Sequence, residues 1–227
     1  MKEYIKQLTS IELSEYQQSQ FDTLATMLLE NNANFNLTAI TQPEAIRVKH
    51  FIDCAVGVNY ISKCASVLDV GAGGGFPSFV LAILRPDIKL TILDSNLKKI
   101  DYCRVVAKQL NVNVNLMCGR VENRSLITKR YDYAVARAVA ETDILLEYMA
   151  YTVNIGGHII LYKGIQQQSY DDVATKLGLN RAQVYEYNLP NDYGQRRLLI
   201  YTKIKPTPPQ YPRSNAAIRK SPLGAGK

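Results

Sequence analysis

The stretch SVLDVGAGGGFPS, residues 66–78, constrains the fold more than any other part of the chain. Apolar residues surround Asp69 and then give way to Gly71, Gly73, Gly74 and Gly75. Such a run reads as a buried strand ending in a loop that can adopt left-handed backbone and bring bare main chain up to a ligand. From here strands and helices alternate. VLDV, KLTILD, VNVNLM, YDYAVARAV and GGHIILYKG carry the strand pattern, and FVLAIL, NLKKIDYCRVVAKQL and ETDILLEYMA the helical one. A further helix is predicted from about Gln167 to Leu177, followed by QVYEYNL and RRLLIYTK as a closing antiparallel pair. This alternation implies a mainly parallel sheet covered on both faces. The class is α/β, with a mostly parallel seven-stranded sheet, an antiparallel last strand and a core domain over residues 66–203.

Residues 1–65 read as helices. SEYQQSQFDTLATMLLENN places Phe21, Leu24 and Leu28 on one face with Ser14 as its cap, and PEAIRVKHFIDCAVGVNYI opens on Pro43 near a helix start. At 47% hydrophobic residues the chain can bury a proper core. No run approaches the roughly 18 apolar residues of a membrane span, and the polar start does not resemble a secretory signal. Cys54, Cys64, Cys103 and Cys118 lie far apart with no CxxC pair, which argues against zinc or a disulfide framework and fits the cytoplasm. Cys103 continues the stripe Leu97, Ile100, Ala107, Leu110 and reads as core.

Charge is unevenly placed. Six Lys or Arg and no acid lie from Lys203 onward, whereas the other 21 bases stand against all 20 acids. Residues 204–227 also hold five of the nine prolines and read as a flexible basic tail without helix or central strand, suited to a polyanion or simply solvated.

Two nucleoside ligands compete for the glycine loop. In the nicotinamide fingerprint G-x-G-x-x-G, Gly71 and Gly73 fit, but the third position falls on Phe76, which narrows the space a pyrophosphate needs. S-adenosylmethionine is the other candidate. Gly71 and Gly73 would admit its methionyl end, Asp69 could help place the ammonium through a bridging group, and Asp94 at the end of the second strand could accept both ribose hydroxyls. The Asp94 geometry would serve either ligand. Asp94 also serves as a helix cap before NLKK in a purely structural reading.

The segments VLDVGAGGGFPS, LTILDSNLKKIDYCR, GRVEN, VARAVA and LYKG, with NFNLTAI and VKHFIDC before them and IKPTPPQYPR…KSPLG after, occur in the order and spacing of one bacterial family. The chain resembles the ribosomal RNA small-subunit methyltransferase G family, also called glucose-inhibited division protein B, the guanine-527-N7 methyltransferases of 16S rRNA. The resemblance implies a Rossmann-like class I S-adenosylmethionine-dependent methyltransferase fold, S-adenosylmethionine as methyl donor, and 16S rRNA in the small ribosomal subunit as partner. It also implies that Gly71 and Phe76 belong to the donor site, that Val121 and Glu122 flank the adenine, and that Arg137 lines the same pocket. Arg137 could grip the methionyl carboxylate or an RNA phosphate, or pair with Glu141 or another rim acid. Residues 1–65 would then be a substrate-recognition segment.

Missing residues narrow the reaction. Pyrimidine C5 methylation needs a cysteine nucleophile, usually after a proline, and no cysteine here follows one. Exocyclic amine methylation commonly uses Asn or Asp before two prolines at the end of the fourth strand, which here reads ARAVA. Guanine N7 needs neither device, so no catalytic base is expected; the choice of N7 and of the guanine comes from the resemblance. Candidate RNA contacts are Arg47, Lys49, Arg124, Lys129, Arg130, Lys163, Arg196, Arg197 and the tail. His50 and His158 read as structural. Two other classes stand beside this one: a nicotinamide-dependent oxidoreductase, disfavoured by Phe76, and a non-catalytic RNA-binding protein, which turnover would distinguish.

Overall fold

Side chains alternate between the two faces of a sheet, and that alternation organises the chain. The computed structural model describes residues 1–166 and 170–225. Its strands β1 (Ser66–Val70), β2 (Lys89–Asp94), β3 (Val114–Cys118), β4 (Tyr131–Arg137), β5 (Val153–Gly164), β6 (Gln183–Asn188) and β7 (Gln195–Thr202) form one sheet of order β3-β2-β1-β4-β5-β7-β6. The first five pair in parallel, and β7 runs antiparallel to both β5 and β6. The expected α/β class, with seven strands and an antiparallel last one, holds.

Val67, Ile92, Val135 and Ile160 point to one face, where they meet α2 (Glu15–Phe35), α5 (Ser78–Leu84) and α6 (Leu97–Gln109). Phe21, Leu24 and Leu28 of α2 are fully buried there, each contributing about 1.5–3 kcal/mol by leaving water. The N-terminal helices therefore share the core of the sheet instead of forming a unit of their own. Ser14 caps α2 in a reciprocal pair with Gln17, whose amide also donates to Ile83 O at 2.8 Å. A short α1 (Lys2–Thr9) precedes it. The segment after Pro43 is helical but uneven: α3 (Pro43–Ile46), a wide π-helical turn over Arg47–Ile52, α4 (Asp53–Ala55), then a 3-10 turn over Val56–Tyr60. Such a π turn re-aims side chains and recurs at functional sites. In α6 the predicted stripe is buried at Ile100, Cys103, Ala107 and Leu110, but Leu97 is 58% exposed because it begins the helix beyond the edge of the core.

Leu68, Leu93, Ala134, Ile159 and Tyr201 face the other way, onto α7 (Thr142–Met149), α8 (Asp171–Lys176) and α9 (Asn215–Lys220). The helix predicted from Gln167 is seen only over α8; residues 167–169 lie outside the described residues.

The tail is a correction. Residues 204–225 are not a free arm but the outer cover of this second face. Ser214 caps α9 by accepting from Ala217 N, and Ile218 is fully buried. Pro212 and Pro222 bracket the helix instead of interrupting it, so they bound a six-residue segment that can still close a turn. Arg213 donates from its main chain and guanidinium to Glu147, a carboxylate with no solvent exposure, and Gly224 N donates to Asp143 at 3.0 Å. Lys203 Nζ donates to Leu177 O at 2.6 Å. Arg213 of the tail, and Lys203 just before it, are thus spent on internal contacts.

Candidate donor and acceptor cavities

The glycine loop turns where β1 ends, and the backbone there needs residues without a Cβ. Gly71 has φ +71°, and a Cβ on it would lie 2.7 Å from the side chain of Val139. Gly73 has φ +57° with nothing nearer than 4.0 Å, leaving open space over bare main chain. Gly75 has φ +86° and carries the ring of Phe79 where its Cβ would be, at 2.2 Å. Gly75→Ala combines left-handed strain of roughly 1–2 kcal/mol with overpacking of roughly 1–3 kcal/mol. Urea unfolding is expected to show a loss of about 2–5 kcal/mol on those grounds; a midpoint equal to the parent's would contradict this packing.

Asp94 fixes the loop from the neighbouring strand. It is 9% exposed, and its two oxygens accept from Gly73 N and Asn96 N, both at 2.9 Å. Asn96, not Asp94, caps α6 by accepting from Lys98 N. Each Asp94 oxygen has a second lone pair for another donor. Gly71, Asp94, Val121 and Glu122 line one cavity of about 280 Å³, beyond the C-terminal ends of β1, β2 and β3. Val121 is held by its carbonyl, which accepts from Tyr151 Oη, and Glu122 lies 3.9 Å from Arg120. Gly73 adjoins this cavity through its bond to Asp94.

Phe76 and Arg137 lie elsewhere. Phe76 is buried, stacked on His50 with ring centres 4.6 Å apart and close to Phe51. The position where a nucleotide fingerprint has its third glycine is thus filled by packing between loop and N-terminal helices. Arg137, at the end of β4, points into the same layer. Its Nε donates to Asp53 at 3.0 Å, one terminal nitrogen contacts His50 Nδ1 at 3.1 Å, and the other donates to Lys49 O at 2.5 Å. Its acid is Asp53, not Glu141, and Asp53 also accepts from Tyr187 Oη at 2.8 Å. Asp69 is fully buried and accepts twice from Ser78, with Oδ1 unpartnered, and burial pushes it up to about 7.

Because a guanidinium can only donate, His50 Nδ1 accepts and Nε2–H donates to Thr38 Oγ1 at 2.9 Å. Burial, with Arg137 and Lys49 nearby, lowers His50 to about 3. A depressed imidazole makes the folded state lose stability as pH falls from 6.5 toward 3, since only the unfolded chain takes up the proton. Asp69, with its raised value, works in the opposite sense from 3.8 to 7. Site-resolved nitrogen NMR is therefore the measurement: at pH 5 His50 is expected to remain neutral and Nε2-protonated. An imidazolium signal for it at that pH would refute the network. His158 is stacked on Tyr133 and bonded to Thr202, in keeping with a structural role.

A second cavity, about 350 Å³, opens beside the first and shares Ala138 and Val139 with it. Ala138 has φ +57° without glycine's freedom, a strained backbone of the sort held at ligand sites. Arg137, Glu141, Lys163 and Arg196 line this cavity, with Lys163 Nζ anchored on Ala140 O at 2.7 Å and held below its usual value by burial.

Comparison with known proteins now bears on the site. The family model for rRNA small subunit methyltransferase G matches residues 17–197. The chain belongs to that family. Ribosomal RNA small subunit methyltransferase G of Alkaliphilus metalliredigens is 37% identical over 93% of this chain and 92% of its own length. The Staphylococcus saprophyticus protein of the same name is 38% identical over 94% and 93%. Among solved structures, a methyltransferase from Pyrococcus furiosus superposes with a TM-score of 0.54 at 15% identity, covering 83% of this chain and 98% of that one. A structure of MtNAS in complex with MTA and tNA superposes with a TM-score of 0.57 at 14% identity, covering 83% and 74%. At such identities these two structures establish the fold alone, the Rossmann-like methyltransferase architecture.

Within this family member, the basic residues singled out in the sequence do not form one surface. Lys163 and Arg196 reach the second cavity, while Arg197 pairs with Glu186 and Arg47 with Asp22. Lys49 lies over the ring of Tyr193. Arg124 and Arg130 flank Tyr151, and Lys129 lies over Tyr131, toward the tail. The sequence reading missed Lys99, Arg120, Tyr148 and Arg219 as lining of the first cavity. Lys99 and Arg120 were signalled by their place beside Asp94 and within GRVEN; nothing in the sequence pointed to Tyr148 or Arg219. Among the described residues no cluster of His, Cys, Asp or Glu could hold a metal ion, and no helix is long and apolar enough to cross a membrane.

Proposed function

We propose that the protein transfers the methyl group of S-adenosylmethionine to N7 of one guanine, position 527, in a loop of 16S rRNA of the small ribosomal subunit, by direct in-line displacement without a covalent enzyme intermediate. The observation that carries this reading is the meeting of two cavities at Ala138 and Val139, one with nucleoside-binding chemistry and one with cationic walls. Family membership supports the substrate class.

The first cavity's side chains fit the donor. Asp94 has lone pairs left for ribose hydroxyls, Val121 offers an apolar wall for adenine with Glu122 beside it, and the open space at Gly73 suits a methionyl end. When bound, S-adenosylmethionine supplies an electrophilic methyl on a positively charged sulfur. Phe76 and Arg137 act by position: they tie the loop and the end of β4 to the N-terminal helices, and so hold the wall between the cavities. Lys163 and Arg196 are suited to donate to a guanine oxygen or a phosphate.

No residue is asked to move a proton, because N7 carries none and its lone pair lies in the ring plane. Alignment then does most of the chemistry and can contribute about 7–11 kcal/mol. N7 faces the deep major groove of A-form RNA, so the target has to be in a loop or turned out of the helix. The test is incubation with methyl-labelled S-adenosylmethionine and small subunits from cells lacking this gene, mapped by chemistry that cleaves at N7-methylguanine. One label at a single loop guanine is expected. Labelling at another base or another atom would discard the reading, as would no incorporation into subunits, precursors or deproteinised RNA.

A further inference from the structure

We propose that Arg219, carried on the tail helix α9, is part of the donor site and holds the nucleoside end of S-adenosylmethionine. The inference rests on the donor reading above and extends it to a segment outside the matched family region, residues 17–197.

Three observations point the same way. Arg219 lines the first cavity together with Asp94, Val121 and Glu122, although it lies beyond the end of the sheet in sequence. Its place is built rather than accidental: its Nε donates to Asn215 Oδ1 at 3.2 Å, and the same oxygen accepts from Tyr148 Oη, another residue of the cavity wall. The helix that carries it is anchored from below by buried Ile218 and from both sides by Arg213–Glu147 and Gly224–Asp143.

The chemistry suits a nucleoside. A guanidinium is planar, weakly hydrated and able both to lie against an aromatic base and to donate to hydroxyls. The neighbours Val121 and Glu122 are the residues argued above for the adenine end, so Arg219 faces that end and not the methionyl end at the glycine loop. Asn215 takes Nε and Tyr148 lies within hydrogen-bonding reach of the guanidinium, so the group is oriented at the cavity wall. The structure thus assigns α9 as one wall of the pocket, supplied by the basic segment whose Arg213 anchors it to α7.

The test is calorimetric binding of S-adenosylhomocysteine to the full chain and to Arg219→Ala, Arg219→Lys and Lys220→Ala. Lys220 shares the helix but does not line the cavity. Arg219→Ala is expected to raise Kd about 3- to 30-fold, the range for a partly desolvated cation on a ring. Arg219→Lys is expected to recover part of the affinity, and Lys220→Ala to leave Kd unchanged. If the parent binds and Arg219→Ala binds equally well, the role of Arg219 is overturned while the donor reading stands. Equal S-adenosylhomocysteine affinity with weaker binding to small-subunit RNA would overturn it too, moving Arg219 to the RNA. If the parent itself takes up no S-adenosylhomocysteine, the donor reading fails and this assignment falls with it. Circular dichroism melting of each variant separates loss of affinity from loss of fold.

Discussion

Replacing Arg137 with alanine is expected to destabilise the fold by about 3–5 kcal/mol, the range seen when one partner of a buried ion pair is removed. The pair is Arg137 with Asp53, which is 3% exposed. Alanine would leave the Asp53 carboxylate with Tyr187 as its remaining side-chain donor and would strip donors from Lys49 O and His50 Nδ1 as well. Three polar groups of one helical layer would be stranded together, so the cost exceeds that of a single hydrogen bond, about 1 kcal/mol. Arg137→Lys keeps the charge but cannot reach three acceptors, and an intermediate loss is expected. Urea unfolding measures both. A change below about 1 kcal/mol for the alanine variant would mean that this network does not hold the N-terminal helices to β4.

Asp94→Asn is expected to weaken S-adenosylhomocysteine binding about 100-fold or more. Two charge-assisted bonds to ribose hydroxyls are worth about 1.5–3 kcal/mol each, and 1.4 kcal/mol is a factor of ten. The amide also damages the loop: both carboxylate oxygens accept from main-chain N–H groups, so an NH2 there sets donor against donor at Gly73 or Asn96. Isothermal titration reads the loss, with the melting curve as control. Affinity within threefold of the parent would remove Asp94 from the donor site.

The sheet was legible because periodicity reports burial directly. VLDV and KLTILD are buried on both faces, and their strands appear where the apolar runs lie. The left-handed glycines were legible for a similar reason: a chain that places four in five positions is using backbone that other residues resist. Side-chain partnership was not. Arg137 ends β4, yet its acceptor is 84 residues earlier, in a helix whose π turn no local pattern announces. Phe76 departs visibly from the nucleotide fingerprint, but its partner His50 depends on how the N-terminal layer docks. The tail misled for a different reason. Composition averages over a segment, whereas its fate turned on Ile218 and Arg213, single residues whose partners on α7 and in the second core lie far off in sequence.

The clasp between Arg213 and Glu147 has a consequence for the order in which the molecule is made. Synthesis runs from the N-terminus, and Glu147 is joined 66 residues before its counter-ion. A nascent chain that has just delivered Thr202 contains all seven strand segments but has no lid over α7, and its first cavity lacks Arg219. Chains arrested after Thr202 are therefore expected to exchange the α7 amides faster than released chains, and equal protection would contradict the clasp. The wall that α9 adds to the first cavity is therefore laid down after the whole sheet has been synthesised.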